Sequence, residues 1–475
     1  MKKNGKNILR CLIFLLAILL PFGAIIAIGE NVDDPYEQSF SAALADKYDR
    51  LCAGNGGRII FVGGSSLPFG LRSDIIADRL GYEVADLGVY AALGTKAMCE
   101  IALDCVKSGD IIVLAPELDS QTYSLYFNAE YMWQAVSGAK HIIGTFSFDE
   151  RLLMYKSYLP FLIGKIRDSG STADVPLSVY SRSAFNEYGD IAVDRPCNIM
   201  AGGVDSSSEI ALDGLINEEF IGFVNEFTEK VAEKGGKVYF TFSPVNAAAA
   251  AFSGAEGDMF ADSLSGMLDA EVLGSPAETT YEPKYFYNTN FHLNSSGALL
   301  HTKTVCRLLG DALGTGSYEK IEITEPGEGT GGREELPDSD ENEIYFVYTS
   351  VGSSYYLESV AEEYRESVTS LTLPVVHDGI PVTGISGGCF DGCTELCEIT
   401  IPEGYCVFDS GIFGGCPSLT RIYIGFENPG YTSVPSSGLF DGASDRLKVY
   451  IRSSAWSRFV SDYSWRAYKN LFEKY

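Results

Sequence analysis

Positive charge and histidine are both scarce in this chain. Its 475 residues carry 35 Lys and Arg against 64 Asp and Glu, a formal net charge of −29, and only four histidines. So acidic a chain repels a phosphate backbone, which excludes nucleic-acid binding or adhesion to an anionic membrane through a basic patch. Neutral or polyhydroxyl partners are compatible. Zinc-type ligand spacing is missing as well. Of the eleven cysteines, Cys52, Cys99, Cys105, Cys197 and Cys306 are scattered at apolar-patterned positions, where the default is a small buried hydrophobe. No metal or organic cofactor is implied. The hydrophobic content of 46% is that of a globular chain, too long for one core and suited to two or three domains.

At the amino end, Lys2, Lys3, Lys6 and Arg10 precede an uncharged apolar run from Cys11 to Gly29, closed by Glu30. At 1.5 Å per residue such a run nearly spans a bilayer core of ~30 Å. The positive-inside rule then leaves the short amino end in the cytoplasm and everything after Glu30 outside, a single-pass protein of the cell membrane. A cleaved signal peptide and secretion form the alternative: Pro21, Gly23, Ala24 and Ala27 leave room for it, though no Ala-x-Ala site is present. Residues 1–30 are assigned to this tail and anchor.

The most informative stretch is Ile59-Ile-Phe-Val-Gly-Gly-Ser-Ser-Leu-Pro-Phe-Gly70, an apolar β-branched run that stops at two glycines and two serines. A buried parallel strand presents a nucleophile at its carboxyl end in this way, and the helical spacing of Leu71 to Leu80 puts Ser66 where strand turns to helix. Backbone N–H groups at such a turn can hold an oxyanion. Far downstream, Asn288-Thr-Asn-Phe-His292-Leu-Asn-Ser-Ser-Gly297 precedes a helical run from Ala298 to Leu313, which offers a histidine base.

Gly64-Ser65-Ser66-Leu67 and the late histidine resemble the two ends of the SGNH (GDSL-type) hydrolase family. The likeness is to the cell-envelope branch that includes D-alanyl transfer proteins and alginate-type O-acetyltransferases, and it covers roughly Lys47 to Gly314. It implies an α/β fold, a flavodoxin-like three-layer parallel sheet, with Ser66 as nucleophile and His292 as general base. The second block of the family reads here Asp86-Leu87-Gly88, which implies Gly88 as an oxyanion donor and leaves Asp86 as a departure. The third, after the strand-like Asp110 to Ala115, reads Pro116-Glu117-Leu118-Asp119 and lacks the oxyanion asparagine. An ionised carboxylate cannot donate a hydrogen bond, so a Glu117 pointing into the site must be protonated, bind a cation or do another job. The triad aspartate is replaced too, which leaves Asn288 or Asn290 to orient the imidazole through a side-chain carbonyl. Asp86, Glu117, Asn186 and Asp190 are the expected substrate-cleft residues, the last two from the polar-aromatic cluster Phe185 to Asp190, for which a plain turn is the alternative reading.

Internal repetition marks the carboxyl-terminal part. Phe390-Asp-Gly-Cys393 with Leu396, Ile399 and Ile401 recurs at an offset of 23 as Phe413-Gly-Gly-Cys416 with Leu419, Ile422 and Ile424; a third copy, Phe440-Asp-Gly-Ala443 with Leu447, Val449 and Ile451, comes after a longer insertion. That period and the Leu-x-x-Ile-x-Ile core predict a short leucine-rich solenoid whose coils bury apolar residues against one another. The wording resembles the BspA-like leucine-rich repeats of bacterial surface proteins. Cys393 and Cys416 read as stacked core residues. Between the two parts, residues 314–343 are rich in Gly, Glu, Asp and Pro, the composition of a flexible acidic linker.

The domains expected are thus 31–313, SGNH-like, and 344–475, repeats. The function implied is O-acyl ester hydrolysis or transfer on a cell-surface polysaccharide or other acylated glycan. Two rivals stay open. In one, an inactive SGNH-like module binds carbohydrate or assembles with a membrane O-acyltransferase; in the other, the repeats bind a protein ligand as an adhesin.

Overall fold

Two strands, 58–63 and 111–115, are buried at every position, which is why 59–62 and 111–114 read as unbroken apolar runs rather than as alternation. In this computed structural model, residues 20–168, 179–198, 200, 203–205, 209–315, 321–326 and, with breaks of one or two residues, 342–475 are described. The elements of the first part are α1 (residues 20–31), α2 (Ala43–Ala53), β1 (Arg58–Gly63), α3 (Ser66–Gly70), α4 (Ser73–Leu80), β2 (Glu83–Asp86), α5 (Thr95–Cys105), β3 (Ile111–Ala115), α6 (Ala129–Val136), α7 (Phe148–Asp168), α8 (Glu218–Glu233), β4 (Lys237–Phe240), β5 (Val245–Asn246), α9 (Gly254–Ser265), β6 (Glu271–Val272), β7 (Thr280–Tyr281) and α10 (Ser295–Leu313).

One sheet runs β2-β1-β3-β4-β6 with every pairing parallel. Successive side chains point to opposite faces. Ile60, Val62, Ile112 and Leu114 join a core with Leu44, Ile101, Met132 and Val224 of α2, α5, α6 and α8. Ile59, Phe61, Ile111 and Val113 join a second core with Ile76 of α4 and Val305 and Leu309 of α10. The chain is therefore α/β, a parallel sheet between helices. Because β1 has β2 on one side and β3 on the other, the connections leave in opposite directions and open a crevice above the carboxyl ends of β1 and β3. At the opposite end of these strands the buried Arg58 guanidinium pairs with Asp110 at 2.8 Å.

One cysteine expectation is corrected. Cys52 and Cys105 are not separate buried hydrophobes but a disulfide joining the ends of α2 and α5, with Cα atoms 4.6 Å apart. The two helices pack on the same face of the sheet, so their ends meet although 53 residues of sequence separate them.

The second part has its own core, from Phe346 to Phe472. Its elements are β8 (Phe346–Val351), β9 (Ser354–Val360), β10 (Ser370–Thr372), β11 (Val376–His377), β12 (Ile380–Ile385), β13 (Glu398–Ile401), β14 (Val407–Phe408), β15 (Arg421–Ile424), β16 (Lys448–Ile451), α11 (Trp456–Ser461) and β17 (Phe472–Lys474). The three sequence copies supply β13, β15 and β16, neighbours in a parallel ladder β10-β13-β15-β16-β17. Ile399 pairs with Ile422 and Ile422 with Val449. Phe390, Phe413 and Phe440 stack ring on ring at 5.5 Å per step, and Cys393 and Cys416 are fully buried.

Most of the expected linker, 316–320 and 327–341, lies outside the described residues. Ile321, inside the stretch assigned to it, is buried in the α4/α10 core, so part of that stretch belongs to the α/β part. Arg466 reaches from the carboxyl-terminal part to Glu130 on α6 at 2.6 Å. Residues 11–19 of the expected anchor are also outside the described residues, among which no helix is long and apolar enough to cross a membrane.

Candidate active site

Three loops converge above the sheet, those leaving β1, β2 and β3, and two glycines permit it. A Cβ on Gly64 would lie 2.7 Å from Glu117 Oε1 and 2.9 Å from the Ala91 side chain; one on Gly88 would lie 2.6 Å from the Gly64 carbonyl. The turn after β1 then gives way to α3, which starts at Ser66 and leaves Gly64 and Ser65 between strand and helix.

The hydroxyl that meets the histidine is that of Ser65. Its Oγ lies 2.8 Å from His292 Nε2. Ser66 Oγ, the expected nucleophile, is fully buried and makes no hydrogen bond among the described residues. One residue further on, at the first position of α3, the side chain is buried and does not meet the histidine.

His292 is held by its own loop and by an aromatic wall. Thr289 Oγ1 accepts the N–H groups of Phe291 and His292 at 3.2 and 3.0 Å, and Asn294 caps α10 through the Gly297 N–H. The imidazole stacks on the buried Phe69 ring, centroids 4.0 Å apart and 8° from parallel. Asn288 Oδ1 lies 3.0 Å from Nδ1, while Asn288 Nδ2 donates to the Tyr180 hydroxyl at 2.9 Å. The Tyr180 hydroxyl also lies 3.4 Å from Nδ1. With its oxygen toward the ring Asn288 can only accept there, so Nδ1 carries the hydrogen and Nε2 is left as the acceptor for Ser65. Burial, with a smaller push from the Arg195 charge, lowers the imidazole to about 3. It is therefore neutral at ordinary pH, the state a base requires.

The other expected site residues are placed as follows. Asn290 does not orient the histidine: its side chain pairs with the Asp205 backbone at 3.0 and 2.7 Å. The Gly88 N–H donates to Asp86 Oδ1 at 2.6 Å, so it is engaged rather than open to an oxyanion. Asn186 Oδ1 accepts from the N–H groups of Tyr188, Gly189 and Asp190, a side-chain-closed turn. The Asp190 carboxylate takes the Ser73 N–H and hydroxyl at 2.7 and 2.6 Å, tying that turn to the start of α4. Both act as struts behind the site rather than as its lining. Glu117 does enter it: Oε1 accepts from the Ser66 N–H at 2.9 Å and lies 3.2 Å from Ser65 Oγ. Its backbone carbonyl is fastened by the Asp119 N–H at 2.8 Å and by the Thr122 hydroxyl.

Sequence reasoning missed Ser65, Tyr180 and Phe69. The doubled serine carried a signal for the first, since either member can sit at the turn. Tyr180 belongs to an irregular loop and has no periodicity to single it out. Compared with known proteins, the chain matches no protein-family model, and no curated protein matches it significantly.

Proposed function

We propose that this protein is a serine acyl-transfer enzyme of SGNH type, an esterase or O-acyltransferase, followed by a short leucine-rich solenoid. The observation that carries it is the hydrogen-bonded chain Ser65–His292–Asn288–Tyr180 at the carboxyl end of a parallel strand. Ser65 Oγ attacks an acyl carbonyl as its proton passes to His292 Nε2, and Asn288 Oδ1 supports the Nδ1–H of the imidazolium. The imidazolium returns the proton to the leaving oxygen. The acyl-enzyme is then resolved by water or by an acceptor hydroxyl.

An O-acylated glycan of the cell envelope is the substrate class the resemblance implies. The exposed Leu20, Phe22, Ile26 and Ile28 of α1 fit attachment to a membrane through the apolar amino-terminal run. A second reading, a binding module without turnover, draws on the Gly88 N–H being spent on Asp86. Fluorophosphonate labelling of the whole chain, with the modified peptide identified by mass spectrometry, decides between them. Adduct on Ser65 supports the enzyme, and no adduct at any pH from 4 to 9 favours the binding module.

A further inference from the structure

We propose that Glu117, in its neutral form, is the oxyanion donor of this site, so that acyl transfer is an acid-side reaction shut off when that carboxyl ionises. The inference rests on the acyl-transfer reading above and assigns a catalytic role to a residue unlike the amide the resemblance implies.

The geometry sets two acceptors in competition for one proton. Ser65 Oγ lies 2.8 Å from His292 Nε2 and 3.2 Å from Glu117 Oε1. An ionised Glu117 draws the serine hydrogen away from the base and places a negative charge beside the position where the carbonyl oxygen becomes negative. Both effects oppose attack. A neutral Glu117 weakens the first, because its Oε1 is then the poorer acceptor, and removes the second. Oε1 still accepts the Ser66 N–H at 2.9 Å, while Oε2, which makes no hydrogen bond among the described residues, carries the proton and presents an O–H donor. The buried acid of an oxyanion hole needs this arrangement, in which an apolar site keeps a carboxyl neutral so that it can donate.

Bonds and protons balance without any other reagent. The Ser65 Oγ–carbon bond forms, the carbonyl π pair moves to oxygen, and the Oγ proton goes to Nε2. The Glu117 O–H donates a hydrogen bond to the oxyanion and keeps its proton throughout. Collapse breaks the carbon–oxygen bond to the leaving group, which takes the proton from His292.

The groups that face Glu117 push in one direction. Burial is the largest cause and the Asp119 carboxylate on the same loop the second, against the Ser66 N–H and the Ser65 hydroxyl. Together they raise it to about 7. Tyr90, on the loop after β2, is near enough to feel its charge, and the phenol is neutral throughout this range. His292, across Ser65, is neutral above about 3. Activity therefore has a plateau from about pH 3 to about pH 7 and declines tenfold per pH unit above it.

The test is the pH profile of kcat/KM for p-nitrophenyl acetate between pH 4 and 9, with fluorophosphonate labelling of Ser65 run alongside, in the wild-type chain and in Glu117→Gln. An amide donates at every pH, so the variant is expected to lose the alkaline limb and to exceed the wild type at least tenfold at pH 9. A variant that keeps the wild-type alkaline limb overturns the proposal, as does one that is folded by circular dichroism but no faster than Ser65→Ala at pH 6. If Ser65 is labelled while the profile does not respond to residue 117, only this proposal fails. If neither protein is labelled at any pH, the acyl-transfer reading fails with it.

Discussion

Asn288→Asp should convert a weakly assisted base into a strongly assisted one. In the wild-type chain the imidazolium formed during attack faces an amide oxygen, 3.0 Å from Nδ1. An ionised carboxylate in that place puts a full charge about 4 Å from the centre of the imidazolium, worth about 4 kcal/mol at an effective dielectric of about 20. With the proton about half transferred in the transition state, about 2 kcal/mol of this reaches the barrier, or roughly 30-fold in rate. The gain is smaller than the ~10⁴ lost in serine proteases on the reverse change, because part of that loss comes from the wrong tautomer. Here Asn288 Oδ1, an acceptor only, already holds the right one.

A buried carboxylate must also be held. The Tyr180 hydroxyl, free to rotate, can donate to the oxygen that replaces Nδ2. Two readouts separate this mechanism from a general loosening of the loop. The kcat for p-nitrophenyl acetate should rise 10- to 100-fold at its optimum. The acid limb of the profile should move upward by roughly three pH units, since the new charge stabilises the imidazolium already in the free enzyme. A variant that is folded and labelled at Ser65, yet shows neither change, refutes the assignment of His292 as the base.

The two serines should separate cleanly: Ser65→Ala abolishes fluorophosphonate labelling, whereas Ser66→Ala, which keeps its N–H to Glu117, stays within a few-fold of wild type in labelling rate. In the repeat ladder, Cys416 Sγ lies 3.3 Å from the Phe390 carbonyl, while the equally buried Cys393 has no such acceptor among the described residues. Both serine substitutions bury a hydroxyl at about 1–3 kcal/mol, with Cys393→Ser the costlier because its hydroxyl lacks that acceptor; urea unfolding followed by tryptophan fluorescence gives the order. For the contact between the two parts, the Arg466–Glu130 pair should contribute a coupling of less than about 1 kcal/mol, because Glu130 is 42% exposed on its side chain and such pairs are screened. A double-mutant cycle of Arg466→Ala with Glu130→Ala that returns a coupling well above that value would mean the two parts are rigidly docked.

Much of the fold was legible because each strand carries its own record of burial. Ile59 to Val62 and Ile111 to Leu114 are apolar at every position since both faces are covered, and the repeat of 23 residues reappears as the register of Ile399 on Ile422. Segment-internal signals cannot say which distant segments meet. The strand-to-helix turn was visible in Gly63-Gly64-Ser65-Ser66, but choosing between the serines depends on where α3 begins, a matter of one residue. Gly88 was read as an oxyanion donor, and its lack of a side chain serves a close approach instead. What approaches is the Gly64 carbonyl, and the N–H assigned to an oxyanion is held instead by Asp86, two residues away. The Cys52–Cys105 bridge shows the same limit, since helical spacing describes each helix and is silent on which ends meet. Glu117 marks the opposite case. A carboxylate where a donor was expected was a contradiction already in the sequence, and in the folded protein that contradiction becomes a hydrogen-bond competition for the Ser65 proton.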